Sequence, residues 1–263
     1  MPEVSVIMPA HNPGTYLREA VRSICRQSFE DWELFVVDDA STDGAVDRLE
    51  EEDWDERLQV VRFTKNKGGA AAIMAGVARS RGAFIAIMDS DDRALPHRLE
   101  IQAQVMRTNP EIGIVSCEAR FIDASGECTG RKPSLYRRED IAGDSHFFFY
   151  MLHPGMMIRR EMFQEVGYRA EFKYAWDFDF LARAVEKYPV IVLPLELMEY
   201  RVHADSIGGG RGVRRKPTTV PSALSRRVGA RGGTSGWRRL PARQPRWQRM
   251  VGRCPVSIVA MHA

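Results

Sequence analysis

The sequence predicts an α/β fold, a Rossmann-like and mainly parallel sheet flanked by helices. Over residues 1–110, short apolar runs alternate four times with segments of helical apolar spacing, which is typical of doubly wound sheets. Three of the apolar runs also end in polar residues, and ligands bind at the carboxyl ends of the strands in such sheets. The 263 residues are enough for one sizeable domain.

The first two predicted strands are the apolar runs at 4–8 and 34–37. A turn at 13–15 follows the first strand and provides a plausible helix N-cap. The next apolar residues recur at a 3.6-residue period and form one helical face: Leu17, Ala20, Val21, Ile24 and Cys25. Asp43-Gly44 starts a second helix with an acidic outer face.

The third and fourth strands, at 58–63 and 84–88, enclose an Ala-rich helix at 70–80. Before this helix lies the glycine loop, Asn66-Lys67-Gly68-Gly69. Its glycines permit close backbone approach, and free amides at a helix start can hold phosphate. A plain turn is an equally good interpretation. Pro96 near the start of a helix at 97–108 fits the first-turn preference of proline.

Beyond Pro110 the alternation weakens. We predict strands at 112–117, 119–122, 156–159 and 190–193, helices at 160–166 and from 177, and a loop with a short helix over 130–150.

The run Asp89-Ser90-Asp91-Asp92 follows the fourth strand directly. Carboxylates this close raise one another's pKa, so a positive group should neutralise them. A hard divalent cation prefers carboxylate oxygens and would make this an active site. A solvated turn helped by Arg93 is the alternative. A second acidic strand ending, Asp38-Asp39, favours the active site.

The net charge of +3 hides an uneven division of charge. Residues 208–263 hold thirteen of the 38 basic residues and none of the 35 acidic ones, which leaves 25 basic against 35 acidic residues in 1–207. We predict an ordered domain at 1–207 and a disordered Arg/Gly/Pro-rich tail at 208–263. The tail could contact an anionic membrane surface peripherally, and no specific nucleic-acid partner is predicted. A frame-shifted or degenerate C-terminus is the alternative.

Cysteines 25, 117, 128 and 254 show no paired metal-binding spacing. The chain opens without a secretory signal, and no apolar run approaches the roughly 18 residues of a membrane span. We therefore expect a cytoplasmic protein, peripheral at the inner face of the membrane.

Four blocks stand in one order that resembles the family 2 inverting glycosyltransferases of the GT-A fold. They are residues 4–12, 36–43, 88–92 and 200–203, and the resemblance covers roughly 3–207. It implies a nucleotide-sugar donor, with UDP or dTDP favoured, an Mg²⁺ or Mn²⁺ ion, and a saccharide or lipid-linked acceptor hydroxyl. The implied setting is cell-surface polysaccharide or glycolipid synthesis.

The resemblance also assigns roles to single residues. Asp39 would accept a hydrogen bond from the pyrimidine, with His11 packed on the base and Pro9 in the same donor-binding block. Asp89 begins the Asp-x-Asp signature of the donor site, and Asp91 would face ribose and metal.

The remaining roles concern the metal and the proton. Asp92 would ligate the metal, and His203 stands in the block that can close over the diphosphate or metal. Asp177 matches the general base. One base and direct attack give inversion, and a carboxylate remote from the donor acids suits that role.

The sequence departs from the family at two positions. Ile73-Met74 follows Ala72 where many members carry Arg-Asn, and Trp176 precedes the base where many carry Glu. Trp176 could pack on a sugar or acceptor. A catalytically weak or inactive binding protein is one alternative. A sugar nucleotidyltransferase is another, although its Gly-rich basic loop is missing at 9–13.

Overall fold

The structure is a computed structural model that describes residues 1–131, 151–169, 172 and 175–204. Its strands are β1 (Val4–Ala10), β2 (Trp32–Asp38), β3 (Leu58–Arg62), β4 (Phe84–Ile87), β5 (Arg93–Ala94), β6 (Ile114–Ile122), β7 (Cys128–Arg131), β8 (Met157–Arg159) and β9 (Val190–Arg201). Its helices are α1 (Tyr16–Cys25), α2 (Ala45–Glu50), α3 (Gly69–Arg79), α4 (Arg98–Thr108), α5 (Arg160–Val166) and α6 (Trp176–Ala184), with a short 3₁₀ turn at His153–Gly155.

All the strands in the described residues belong to one nine-stranded sheet of order β3-β2-β1-β4-β8-β6-β9-β5, with β7 paired to β6. The first four strands of the chain are parallel, which confirms the predicted Rossmann-like half. β8 runs antiparallel between β4 and β6, whereas β6 and β9 are parallel, so the second half is mixed. The predicted α/β sheet with flanking helices is confirmed.

Helices cover both faces of the sheet. One apolar cluster contains residues of α1, α2 and α4, and the other contains residues of α3, α5 and α6. Val6 and Met8 face the first cluster and Ile7 the second, as the two-residue period of a strand requires. At Gly76 of α3 an added Cβ would lie 2.7 Å from Ile7 Cγ2, so the helix packs closely on β1 only because this residue is glycine.

β9 differs most from its prediction. It continues to Arg201 instead of ending at 193, and the two strands predicted at 112–117 and 119–122 are the single strand β6. The β6/β9 register shifts between Cys117 and Ala119, where the predicted strands were divided. This long pairing brings the chain back to the end of the sheet at which β4 stops.

Two predicted regions lie outside the described residues, namely most of the loop and short helix at 130–150 and the whole tail at 208–263. Within the part of the chain that the structure describes, no helix is long and apolar enough to cross a membrane.

Candidate active site

The ends of β1 and β2 bring the predicted base-binding residues together. His11 follows β1, and its Nδ1 lies 2.8 Å from the main-chain oxygen of Asp39. Pro9 is paired with Val37 of β2 in the same parallel ladder. Asp39 is only 3% exposed, and its main-chain N–H donates to the Ala10 oxygen.

The Asp39 carboxylate holds the glycine loop. Oδ1 accepts the main-chain N–H of Lys67 at 2.6 Å, and Oδ2 accepts that of Gly68 at 2.7 Å. Gly68 has φ +88°, a conformation that favours glycine. The sequence allowed the main-chain amides of this loop to bind phosphate, but two of them donate to the Asp39 carboxylate. The loop is thereby fixed to the end of β2.

The acid cluster, defined as Asp89, Asp91 and Asp92, follows β4. One carboxylate oxygen of each residue lies within 4.8 Å of the others. Asp92 is 1% exposed, and its Oδ2 is buried without a hydrogen-bond partner among the described residues. Burial first, and then the charges of Asp89 and Asp91, raise the pKa of Asp92 well above its usual range.

The acid cluster fits a hard divalent cation. Cations of this kind take carboxylate oxygens, and a buried oxygen without a partner needs one. The sequence placed the metal on Asp91 and Asp92, and the geometry adds Asp89 to the possible ligands. His203 joins the same group, because its Nε2 lies 3.0 Å from Asp91 Oδ2.

Asp177 lies near enough to the acid cluster to act on it electrostatically. Burial first, and then the charges of Asp91 and Asp177, raise the pKa of Asp89 to about 7. Asp177 is the second residue of α6, and its Oδ1 accepts the N–H of Phe178 at 2.9 Å. The predicted base and the predicted metal ligands therefore share one electrostatic environment.

The sequence did not single out Arg98. It is fully buried on α4, and its Nη2 donates to the Ile87 oxygen at 2.7 Å, immediately before the acid cluster. Its charge lowers the pKa of Asp89 and Asp92, opposing the effect of burial. No sequence signal marks it, because an arginine in an amphipathic helix is expected on the exposed side.

A second missed group lies beside Asp177. His153 Nε2 and the Tyr168 hydroxyl are 2.6 Å apart, and both rings pack edge-on against Trp176, with centroids 4.8 Å apart. Burial lowers the pKa of His153 to about 4, and the charge of Asp177 opposes this effect only in part. His153 is therefore neutral near pH 7.

The model of Glycosyl transferase family 2 matches residues 5–167. The chain belongs to this family. Membership argues against a sugar nucleotidyltransferase, because that enzyme transfers a nucleotidyl group and not a sugar. The chain is therefore a glycosyltransferase domain.

Relatives of this family 2 glycosyltransferase include an uncharacterized glycosyltransferase of Methanocaldococcus jannaschii. It is 31% identical over 209 residues, which cover 76% of this chain and 71% of the relative. TuaG of Bacillus subtilis, named for teichuronic acid biosynthesis, is 42% identical over 106 residues, covering 40% of this chain and 42% of that protein. The chain thus spans less than half of the second relative.

Two solved structures share the fold of this family 2 glycosyltransferase. S. aureus TarS 1–349 in complex with UDP has a TM-score of 0.64 at 22% identity, covering 78% of this chain and 61% of that one. The mannosyltransferase PcManGT from Pyrobaculum calidifontis, in complex with GDP-Man and Mn²⁺, has a TM-score of 0.56 at 24% identity, covering 75% and 56%. At these identities the likeness concerns the fold alone.

Proposed function

We propose that this chain is a metal-dependent inverting glycosyltransferase. It moves a sugar from a nucleotide-diphosphate donor, with UDP or dTDP favoured, to a hydroxyl group of a saccharide or lipid-linked acceptor. The observation that carries the proposal is the acid cluster after β4, in which Asp92 is buried and its Oδ2 has no partner among the described residues, with Asp177 near enough to raise the pKa of Asp89.

The donor side rests on His11 and Asp39, which lie together at the ends of β1 and β2. Their ring and carboxylate suit a pyrimidine, and a TarS structure with UDP-GlcNAc shares the fold. A role in cell-surface polysaccharide or glycolipid synthesis is supported by the names of TuaG and of the O-antigen biosynthesis protein RfbC of Myxococcus xanthus.

Asp89, Asp91 and Asp92 would hold the Mg²⁺ or Mn²⁺ ion, with His203 beside Asp91. Such an ion, when bound, would neutralise the charge that develops on the diphosphate leaving group. Arg98 keeps a fixed positive charge behind these carboxylates. With the ion bound, the two sources of positive charge would offset the repulsion among the three carboxylates, of which Asp92 is buried.

Asp177 accepts the proton of the acceptor hydroxyl. The hydroxyl oxygen attacks the anomeric carbon from the face opposite the diphosphate, a new C–O bond forms, and the old C–O bond breaks with its electron pair on the diphosphate. The configuration inverts because there is one displacement. A positioned base of this kind contributes about 10²–10⁴-fold.

We place the reaction in the cytoplasm, with the basic tail as a peripheral contact to the inner face of the membrane. The thirteen basic residues and missing acids of 208–263 support this placement, because juxtamembrane basic residues are attracted to anionic lipids. Binding of the full chain to anionic but not neutral vesicles tests it.

The central test is thermal unfolding with UDP, dTDP and GDP, each with Mn²⁺ and with a chelator. A ligand at 100 times its Kd stabilises the folded state by about 2.7 kcal/mol. We expect UDP or dTDP to raise Tm with Mn²⁺ and much less with the chelator. Equal shifts in both conditions would remove the metal from the proposal. Release of UDP from UDP-GlcNAc by the Mn²⁺ form then separates a working enzyme from an inactive binding protein.

A further inference from the structure

The Trp176 ring lies between the glycine loop and the start of α6. A Cβ added to Gly69 would lie 3.3 Å from Trp176 Cζ2. On its other sides the ring packs against His153 and Tyr168, with centroids 4.8 Å away in each case. Trp176 directly precedes Asp177 in the chain. The residue before the predicted base therefore has a ring that is packed among three neighbours.

The same ring is linked to the nucleotide end of the site. The Asp39 carboxylate binds the amides of Lys67 and Gly68, and Gly69, the next residue, is the one that faces Trp176. A continuous series of contacts thus runs from Asp39 through the glycine loop to Trp176. Because packed interiors transmit displacement, a change in the loop would reach α6.

The entry to α6 needs support from its neighbours. Ala175 has φ +56°, a left-handed conformation that costs free energy for a residue with a Cβ. The position of Asp177, two residues later, is therefore set by packing around Trp176 rather than by local backbone preference. The neighbours of Trp176 include Gly69 of the glycine loop, the His153–Tyr168 pair and the apolar cluster on this face of the sheet.

We propose that Trp176 is a positioning residue that couples the glycine loop, which Asp39 holds, to the proposed base Asp177. The proposal rests on the proposed function. A nucleotide bound at Asp39 would shift the glycine loop that this carboxylate holds, the loop would press on Trp176, and Trp176 would set the position of Asp177 relative to the acceptor hydroxyl. The tryptophan that replaces the Glu of many family members thus links donor binding to proton transfer.

Gly69→Ala is the sharpest test, because its new methyl group would press on Trp176 Cζ2. We expect the rate of UDP release from UDP-GlcNAc with Mn²⁺ to fall about tenfold, since small misplacements of a catalytic group are costly. UDP affinity should change little. Gly130→Ala is the matched control, because a Cβ there has nothing within 4 Å among the described residues. Melting curves verify that both variants fold.

Trp176→Phe completes a double-mutant cycle. The smaller Phe ring leaves room for the methyl group, so Gly69→Ala should cost much less in the Trp176→Phe background than in the wild type. Additive losses in the cycle would mean that the two residues act independently, which overturns the coupling. A rise in KM for the acceptor at constant kcat in Trp176→Phe would also overturn it, since it would make the ring an acceptor platform.

Tryptophan emission gives a readout that does not need turnover. Titration of UDP with Mn²⁺ should change the emission of the wild type and of Trp54→Phe, a control on the other face of the sheet, and should leave Trp176→Phe nearly unchanged. If UDP binds and Asp177→Asn abolishes turnover while Gly69→Ala turns over normally, the coupling alone is wrong. If neither UDP nor dTDP binds the wild type, the proposed function is wrong and the coupling with it.

Discussion

The main-chain N–H of Arg201 donates a 2.8 Å hydrogen bond to Oδ1 of Asp92, across 109 positions of the chain. The Arg201 side chain is itself fully buried. It donates to the main-chain oxygens of Asp91 at 2.8 Å and Asp123 at 3.0 Å and to the Glu19 carboxylate at 2.6 Å. The end of β9 therefore fixes the backbone of the acid cluster and leaves the second oxygen of Asp92 unpartnered within the described residues.

Arg201→Met should lower the free energy of unfolding by about 3 kcal/mol, because buried carbonyls that lose their donor each cost about 1–3 kcal/mol. Urea denaturation measures the loss. Arg18→Met is the matched control. Its pair with Glu52 is at the surface, with 57% of the Arg18 side chain exposed, and should cost less than about 1 kcal/mol. Equal losses in the two variants would show that the buried contacts of Arg201 contribute nothing special.

Asp92→Asn should weaken Mn²⁺ binding at least about tenfold, because ligand charge sets affinity at oxygen sites. The metal-free protein should not lose stability. The Asn oxygen can still accept the Arg201 N–H, and repulsion within the acid cluster decreases. Calorimetric titration of Mn²⁺ measures the affinity, and Asp53→Asn, at an exposed position, is the control. An unchanged Mn²⁺ affinity would exclude Asp92 as a ligand.

The sequence predicts the first half of the fold well, because strand and helix periods there are unbroken and each acidic run directly follows a strand. The strand predicted at 190–193 is shorter than β9. The next residue, Pro194, has no main-chain donor and is unusual inside a sheet. The structure accommodates it where Leu193 pairs with Cys117 and Glu196 with Glu118, so that Pro194 lies in the register shift.

The neighbours of the candidate site were harder to predict than its acids. His153 is a lone histidine in the sequence, and its importance appears only when folding places Tyr168 2.6 Å away. Arg98 likewise becomes distinctive only when α4 packs over the end of β4. Both contacts depend on long-range packing, which a local pattern does not encode.

His153 should make the protein less stable in acid. Its pKa is about 4 in the folded protein, against an ordinary value of 6.5. Between these values the unfolded chain binds more protons than the folded one, so stability rises with pH from 4 to 6.5 and is fully present above 6.5. His153→Gln should remove about 2 kcal/mol of this dependence, a figure reduced because the ring is partly exposed.

Urea denaturation at several pH values measures the His153 effect. His97→Gln is the surface control for the loss of a histidine, because 59% of that side chain is exposed. Parallel profiles for the wild type and His153→Gln would mean that the half-buried imidazole does not titrate differently in the folded and unfolded states.

Asp177→Asn should lower the turnover of UDP-GlcNAc by about 10²-fold or more, because the amide cannot accept the acceptor's proton. UDP affinity with Mn²⁺ should stay near that of the wild type, and so should stability, since among the described residues the Asp177 side chain makes a local hydrogen bond, with the Phe178 N–H. Initial rates of UDP release and calorimetric titration with UDP measure the two quantities. A rate within twofold of the wild type would remove Asp177 from the mechanism.

Asp179→Asn, two residues further along α6, is the matched control. It should lose stability and keep its activity, the opposite of what we expect for Asp177→Asn. Asp179 is 3% exposed and bonds Arg183 at 2.8 Å and Arg169 at 3.4 Å. Because the arginines are partly exposed, 22% at Arg183 and 47% at Arg169, removing the Asp179 charge should cost about 1–3 kcal/mol. This variant should melt early yet keep its turnover below its melting temperature. If both variants lost activity and stability together, α6 would be a structural helix and the base would have to lie elsewhere.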